Sequence, residues 1–177
     1  MSALHQCPEL VVLGLQGVRI RLINGQNIKY MGSLLDSVFT LINYCNQPEG
    51  IADKASKYKS SIRNYDGDEE ENVVVWDESF DLGIFYSLET CVRVRLFEYK
   101  IARADMFISE VTISLEPLIN EMLQKATAKR LESGAPPLPE GEVEDVKGME
   151  VVKWHNTKPR ELHADTGGQI LLGISFY

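Results

Sequence analysis

The residues in this chain that could carry out chemistry do not form a recognisable catalytic or metal-binding set. The histidines, His5, His155 and His163, have no cysteine or acidic residue at a spacing that completes a metal site. No glycine loop able to cradle a phosphate and no Gly-x-Ser-x-Gly nucleophile turn is present. The sequence therefore predicts a protein that is not an enzyme and that needs no cofactor.

The densest charge run is acidic and covers 66–71, which reads Asp-Gly-Asp-Glu-Glu-Glu. It begins like the calcium loop of an EF-hand, but the remaining ligand spacing and the flanking helices are missing. A second segment, 132–150, has only Lys147 against its acids, which are Glu132, Glu140, Glu142, Glu144, Asp145 and Glu150. Both segments are typical of solvated loops, and either could contact a basic partner.

Basic residues cluster in a polar segment, 56–63, that is typical of an edge strand. Lys57, Lys59 and Arg63 occupy odd positions, so a regular strand would present them on one face. One interpretation is a patch for anionic ligands, and the other is a charged edge strand that blocks pairing with a second sheet. The strongly acidic loop that follows would cancel the field of such a patch, which favours the edge strand.

The elements that must position these residues are organised around one apolar stretch, Val73 to Leu82. Trp76, Phe80 and Leu82 sit at even offsets and point to one face of a strand, whereas Val73 and Val75 point to the other face. A large aromatic side chain buried from a central strand is typical of the core of a β-sandwich.

Alternating residues predict further strands on either side of this stretch. The clearest covers 17–23, where apolar residues alternate with two arginines and Asn24 and Gly25 then punctuate the strand. The other predicted strands are 37–44, 56–63, 90–98, 106–114, 149–154 and 168–177. Short strands separated by turns favour an antiparallel sandwich or barrel.

The hydrophobic period changes after 106–114, where apolar residues begin to recur at helical spacing. Pro117 suits a first helical turn and Gly134 suits the stop, which predicts one amphipathic helix near 117–133. The apolar stripe of this helix consists of Leu118, Ile119, Met122 and Leu123. If the domain itself does not cover this stripe, it is the best candidate for a partner-binding face.

Composition predicts one ordinary globular domain over 1–177, with its core at about 10–177. The chain has 177 residues and a formal net charge of -8, so nucleic acid is not the expected partner. Cys7, Cys45 and Cys91 are odd in number and widely spaced, which argues against a disulfide framework and favours a reducing compartment. Because no signal peptide and no apolar run of spanning length is visible, we expect a cytoplasmic protein, with cytoskeletal or membrane association left open.

The order of these pieces resembles a C2 domain from about Leu10 to Tyr177. The most specific part, 76–80, reads Trp-Asp-Glu-Ser-Phe and resembles the family's Trp-Asn-Glu-x-Phe strand, and 36–41 resembles its Asp-Pro-Tyr-Val-x-Leu segment. Other similar segments are 92–98, 105–109, 153–154 and 168–174. The resemblance implies an all-β, eight-stranded antiparallel sandwich with ligand loops at one end. It also implies that the amphipathic helix and acidic loop, at about 115–150, are an insertion.

The resemblance also places a degenerate ion site in those loops. Calcium-binding members use several aspartates, and Ca²⁺ typically takes 6–8 oxygen ligands. At the matching positions the acidic residues are Asp36, Glu98 and, with the alignment shifted by one, Asp105, while Lys100 replaces another expected aspartate. An ammonium group there would repel Ca²⁺. We therefore expect a calcium-independent domain with these three carboxylates as vestiges of an ion site.

Two functions remain open for such a domain. The first is a protein-interaction or scaffold component of a larger assembly. A cytoskeletal assembly would fit, but nothing in the sequence selects it. The alternative is peripheral binding to anionic membranes, because the family's third strand often carries a phosphoinositide patch, matched here by Lys57, Lys59 and Arg63. The apolar loop tips that could insert are Met31, Leu34 and Leu35 in the first loop and Ile101 and Met106 in the third.

Overall fold

Antiparallel strands dominate the computed structural model, which describes residues 6–46, 57–64, 72–159 and 165–177, with the side chains of 33 and 34 excepted. The strands are β1 (Gly17–Tyr30), β2 (Ser33–Leu34), β3 (Ser37–Cys45), β4 (Tyr58–Lys59), β5 (Arg63–Asn64), β6 (Val73–Ile84), β7 (Cys91–Glu98), β8 (Met106–Ser114), β9 (Glu150–Thr157) and β10 (Gly167–Phe176). The helices are α1 (Pro8–Leu13) and α2 (Leu115–Glu132).

The strands pair into two sheets that enclose one core. In the first sheet the order is β6, β1, β10 and β9, and the short β2 also pairs with β1. In the second sheet β4 and β5 both pair with β3, which is followed by β7 and β8. Because β4 and β5 lie along the same edge of β3, they occupy one strand position, and β2 only extends a hairpin of β1. The two sheets therefore have the eight main strand positions that the sequence predicts.

Along the strands of both sheets, the apolar residues of the alternating sequence pattern are the buried ones. The fully buried side chains include Val18, Ile20 and Leu22 on β1 and Val92, Val94 and Leu96 on β7. Trp76 on β6 is only 2% exposed, as expected for the centre of the core.

The first strand does not end at Asn24 and Gly25, where the sequence predicts a break. β1 continues to Tyr30, with a shift in its register against β10 on either side of Gly25. A Cβ at Gly25 would lie 2.8 Å from both Cζ3 of Trp76 and Cδ1 of Ile28, which is closer than carbon atoms pack. This glycine therefore makes room for the tryptophan ring and does not mark a turn.

Helix α2 lies between β8 and β9, and it packs onto the domain that contains it. Its first turn holds Pro117 and it ends just before Gly134, close to the predicted bounds. Of its apolar stripe, Leu118, Ile119 and Met122 are 6%, 1% and 0% exposed, and Leu123 is partly buried against the same core. The stripe therefore does not meet the condition for a partner-binding face, because the domain already covers it.

The short helix α1 precedes the first strand and was not predicted. Pro8 begins it, and Gly14 ends it in the left-handed region at φ 66°, with its N–H near the carbonyls of Leu10 and Val11. Leu10 is fully buried, whereas Val11 and Val12 are 65% and 61% exposed. A helix this short shows no readable hydrophobic period, so its sequence could not indicate it.

Candidate functional site

An ion pair occupies the loop end of the sandwich, where the degenerate ion site was expected. The Nζ of Lys100 lies 2.6 Å from Oε1 of Glu98. Glu98 ends β7 with the same inward parity as Leu96, and only 6% of it is exposed. Its other oxygen, Oε2, is buried and accepts no hydrogen bond from the described residues. The chain thus supplies its own cation to one oxygen of this carboxylate.

A cleft of about 430 Å³ opens beside the ion pair. Its polar lining comes from Asp36, Ser37, Asn64, Glu98 and Lys100. The Ser37 hydroxyl donates a hydrogen bond to Oδ1 of Asn64 at 2.8 Å, and the N–H of residue 99 donates to the Ser37 carbonyl at 2.9 Å. These bonds hold the start of β3 against β5 and against the end of β7, so three of the lining residues are linked to one another.

The three predicted carboxylates are not gathered into one site. Asp36 and Glu98 line the cleft, whereas Asp105 is exposed and instead accepts the backbone N–H of Lys100 at 3.4 Å. Across the described ranges no group of three or more histidine, cysteine, aspartate or glutamate side chains could hold a metal ion. Among the described residues, the lining of the cleft therefore contains two carboxylates and one ammonium group.

The basic residues of the third strand position do not share one face, contrary to the prediction from their spacing. Lys59 pairs with Leu41 and Arg63 pairs with Val38. From 59 to 63 the edge segment advances by four residues, while its partner β3 advances by only three, from 41 to 38. The extra residue reverses the alternation of side chains. Lys59 consequently faces outward, while the Arg63 guanidinium lies 3.5 Å from a carboxylate oxygen on β6. Lys57 is exposed beside β4.

The outer face of the second sheet instead brings Lys59 together with two arginines of β7 that the basic segment 56–63 does not include. Cross-strand pairing aligns Lys59, Leu41, Arg95 and Glu110 in one row and Asn43, Arg93 and Thr112 in the next, so one carboxylate lies among the three cations. A guanidinium N–H of Arg95 donates to Oδ1 of Asn43 at 3.1 Å. We call Lys59, Arg93 and Arg95 the cationic face. The signal was present in the sequence, because both arginines alternate with inward valines on β7.

Aromatic rings adjoin the cationic face on the same side of the sheet. Phe39 and Phe97 stack with centroids 5.4 Å apart, and Phe107 meets Phe97 edge-on at 5.6 Å. The ammonium of Lys59 lies above the Phe39 ring, 3.9 Å from its centroid. This is a cation–π interaction, in which the negative face of the ring attracts the charge. The stem of this lysine is thereby held on the sheet.

An apolar row crosses the outer face of the first sheet. Pairing places Val75 beside Asn24, Asn24 beside Leu171, and Leu171 beside Trp154. Val75 and Trp154 are 58% and 43% exposed, and Val152, two residues from Trp154 on the same face, is 45% exposed. We call Val75, Leu171, Trp154 and Val152 the apolar face. The sequence placed Val75 on this side of its strand, and no described element covers it.

Polar side chains flank the apolar face on both sides and pair with one another. Along one side Gln26 donates to Gln169, which donates to Oδ1 of Asn156 at 2.7 Å. On the other side Arg21 donates to both oxygens of Glu150, at 3.0 Å and 2.8 Å. The hydrogen bonds that Arg21 donates to Glu150 raise the pKa of the Arg21 guanidinium. An apolar centre with a satisfied polar rim is typical of protein–protein interfaces.

The apolar loop tips divide into exposed and buried residues. Met31 and Ile101 are 64% and 84% exposed, but Leu35 is buried in the core at 5%, so it is not a tip. Met106 is partly buried against the core, and the Leu34 side chain lies outside the described part. In the described part of the chain, no helix has both the length and the hydropathy needed to span a bilayer.

Other residues singled out by the sequence have structural surroundings. Within the second acidic segment, Glu144 pairs with Arg130 at 2.5 Å and Glu150 pairs with Arg21, while the other acids are exposed. Burial lowers the pKa of the half-buried His155. The acidic run at 66–71 and the histidines His5 and His163 lie outside the described residues.

Comparison with solved structures identifies the fold. No family model and no curated protein matches the sequence. A C2 domain of plant extended synaptotagmin 1, the first of that protein, superposes with a TM-score of 0.58 at 10% identity, over 92% of this chain and 94% of that chain. A structure of CC2D1B gives 0.56 at 13%, over 99% and 59%. A calcium-bound pair of C2 domains from extended synaptotagmin 2 gives 0.53 at 14%, over 91% and 45%. The chain therefore has a C2-like β-sandwich fold, which confirms the fold prediction.

Proposed function

We propose that this chain is a non-catalytic module that binds a protein partner without calcium, as one component of a larger assembly. The observation that carries the proposal is the apolar face. Its three exposed members, Val75, Val152 and Trp154, are between 43% and 58% exposed on a sheet surface. Exposed apolar patches with a polar rim mark interaction sites on soluble domains.

The chemistry of the apolar face suits a protein partner. Trp154 offers a large ring with few rotatable bonds, and tryptophan is enriched among the residues that contribute most to protein–protein affinity. The rim needs no rearrangement on docking, because Gln26, Gln169 and Asn156 already satisfy one another. A partner would therefore gain from covering the apolar residues if it also pairs with Asn24, which lies between Val75 and Leu171.

Independence from calcium is supported by the ion pair at the loop end. Lys100 holds its ammonium 2.6 Å from Glu98, in the cleft that Asp36 also lines. Calcium needs several oxygen ligands, and an adjacent ammonium group opposes its entry. With two carboxylates and one lysine, the cleft lacks the charge that a divalent ion requires.

The test is affinity capture of partners from cell extract in EGTA and in calcium. We expect the same saturable set of proteins under both conditions, and loss of that set with Trp154→Ser combined with Val75→Ser. These side chains are exposed, so the variant should keep the thermal stability of the wild type. Purified candidate partners are then titrated against both proteins to give dissociation constants.

The matched control is Val11→Ser, which removes an exposed valine from α1, 65% exposed and outside the apolar face. Two outcomes would contradict the proposal. One is capture that requires calcium. The other is capture by the Trp154→Ser, Val75→Ser variant that equals capture by the Val11→Ser control.

Peripheral binding to an anionic membrane is a second candidate, favoured by the cationic face. Lys59, Arg93 and Arg95 meet on one sheet surface beside the rings of Phe39 and Phe97. Clustered cations attract anionic headgroups, and the attraction falls with ionic strength. This surface differs from the residues the sequence named, because Arg63 is turned away from it.

A further inference from the structure

We propose that the cleft beside the Glu98–Lys100 pair accepts an arginine side chain from the protein partner. This inference rests on the proposed protein-binding function and specifies the chemistry of one contact. It starts from Glu98, which is only 6% exposed yet has an oxygen, Oε2, that accepts no hydrogen bond from the described residues. A buried carboxylate oxygen without a donor is costly, so the site gains from a ligand that donates to it.

The charge of the cleft selects a monovalent cation. Asp36 and Glu98 contribute two negative charges and Lys100 one positive charge, which leaves one negative charge among the lining residues. Lys100 is already directed to the other oxygen of Glu98, at 2.6 Å. A divalent ion would find too few carboxylates, whereas one guanidinium or ammonium group would neutralise the site.

The arrangement of acceptors favours guanidinium over ammonium. Arginine presents five N–H donors in a planar fork, and it loses less hydration energy on burial than lysine. The lining of the cleft offers acceptors on Glu98, Asp36 and Ser37, and one oxygen of Glu98, the buried Oε2, has no donor among the described residues. Several separated acceptors suit a fork of donors better than a single point charge.

The apolar walls of the cleft suit the stem of the same side chain. Ile62, Tyr99 and Ile101 line it and are 40%, 37% and 84% exposed. Methylene groups and a guanidinium plane pack well on aliphatic and aromatic surfaces of this kind. A volume of about 430 Å³ leaves room for the whole side chain and for part of the backbone that carries it. The net charge of -8 on the domain would also steer a basic partner towards it.

The probe is N-acetyl-L-arginine N-methylamide, titrated into isotope-labelled protein and followed by heteronuclear NMR. We expect saturable shifts at the backbone amides of Glu98, Tyr99 and Asn64. The citrulline analogue, which has the same shape without the charge, should shift none of them. We expect affinity to fall by roughly 2- to 5-fold in Asp36→Asn, as for a partly exposed ion pair. In Glu98→Gln it should fall by more than about 10-fold, because a charged buried acceptor is lost.

Asp105→Asn is the matched control, since it removes one charge from a loop residue outside the cleft lining, and its amide oxygen can still accept the backbone N–H of Lys100. Asp36 is exposed, so its variant stays folded even if Glu98→Gln does not. Shifts of equal size with citrulline, shifts that do not saturate, or affinity that is equal in Asp36→Asn and the wild type would overturn the inference. The probe requires no partner protein, so failure here leaves the capture result standing.

Discussion

At the scale of single residues, one ion pair occupies the loop end of the sandwich. Glu98 points inward at the end of β7, where a buried carboxylate requires a compensating cation. Lys100, two residues further on, places its ammonium 2.6 Å away. A cation built into the chain is always present, so the loop end can keep one charge state whatever the ion concentration.

Replacing this lysine tests the proposed independence from calcium. In Lys100→Asp the cleft gains a third carboxylate, and we expect millimolar calcium to raise the melting temperature by about 2–4 °C, equivalent to roughly 1 kcal/mol. Wild-type protein should melt at the same temperature in calcium and in EGTA. Differential scanning calorimetry measures both.

Arg103→Asp provides the control, because it makes the same change of charge in the same exposed loop but away from the cleft lining. A calcium-dependent shift in the wild type would contradict calcium independence. A shift of equal size in both variants would show that general negative charge, and not the position of Lys100, sets the response.

At the scale of elements, packing decides what the inserted helix and the edge strand do. α2 has an amphipathic sequence that fits either a docking helix or a core helix, and it buries Ile119 and Met122 almost completely. Between β4 and β5 one extra residue turns Arg63 away from Lys59. In both elements the neighbouring part of the domain fixes which way a side chain points. For α2 this is the core, and for β4 and β5 it is the paired strand β3.

A stability measurement distinguishes a core helix from a docking helix. Met122→Ala should lower the free energy of unfolding by about 2–4 kcal/mol, since it removes a fully buried side chain and leaves a cavity. Leu131→Ala, on the same helix at 64% exposure, should change it by less than about 0.5 kcal/mol. Urea unfolding followed by tryptophan fluorescence gives both values. Equal, small effects would mean that α2 does not contribute to the core.

At the scale of the whole molecule, the net charge and the local charge have opposite signs. The chain carries -8 overall, yet Lys59, Arg93 and Arg95 outnumber Glu110 on one sheet surface. Over distances beyond the Debye length, about 8 Å at physiological ionic strength, the net charge is screened and the local surface dominates a contact. The domain can therefore repel an anionic surface at long range in low salt and still hold an anionic group at contact.

This balance makes a specific prediction for membrane binding. We expect weak sedimentation with phosphatidylcholine vesicles that contain phosphatidylinositol bisphosphate, lost in Lys59→Gln combined with Arg93→Gln. Arg63→Gln should bind like the wild type, because its guanidinium pairs with Glu78 on β6 and faces away. If Arg63→Gln abolishes binding and the double variant does not, the membrane surface is a different one.

The sequence by itself determined the strand pattern and the helix near 117–133, because alternation and helical period report local burial directly. The C2-like order of elements came from the resemblance of motifs such as 76–80 to that family. The sequence also identified Asp36, Glu98 and Lys100, since charged residues at loop positions are visible without coordinates. Only the tertiary structure decided that the helix stripe is covered. It also decided which outward residues share a sheet surface, because Val75 and Trp154, or Lys59 and Arg93, are far apart in sequence and are brought into one sheet by strand pairing. Pairing register depends on bulges and on the neighbouring strand, and a single chain segment does not contain that information.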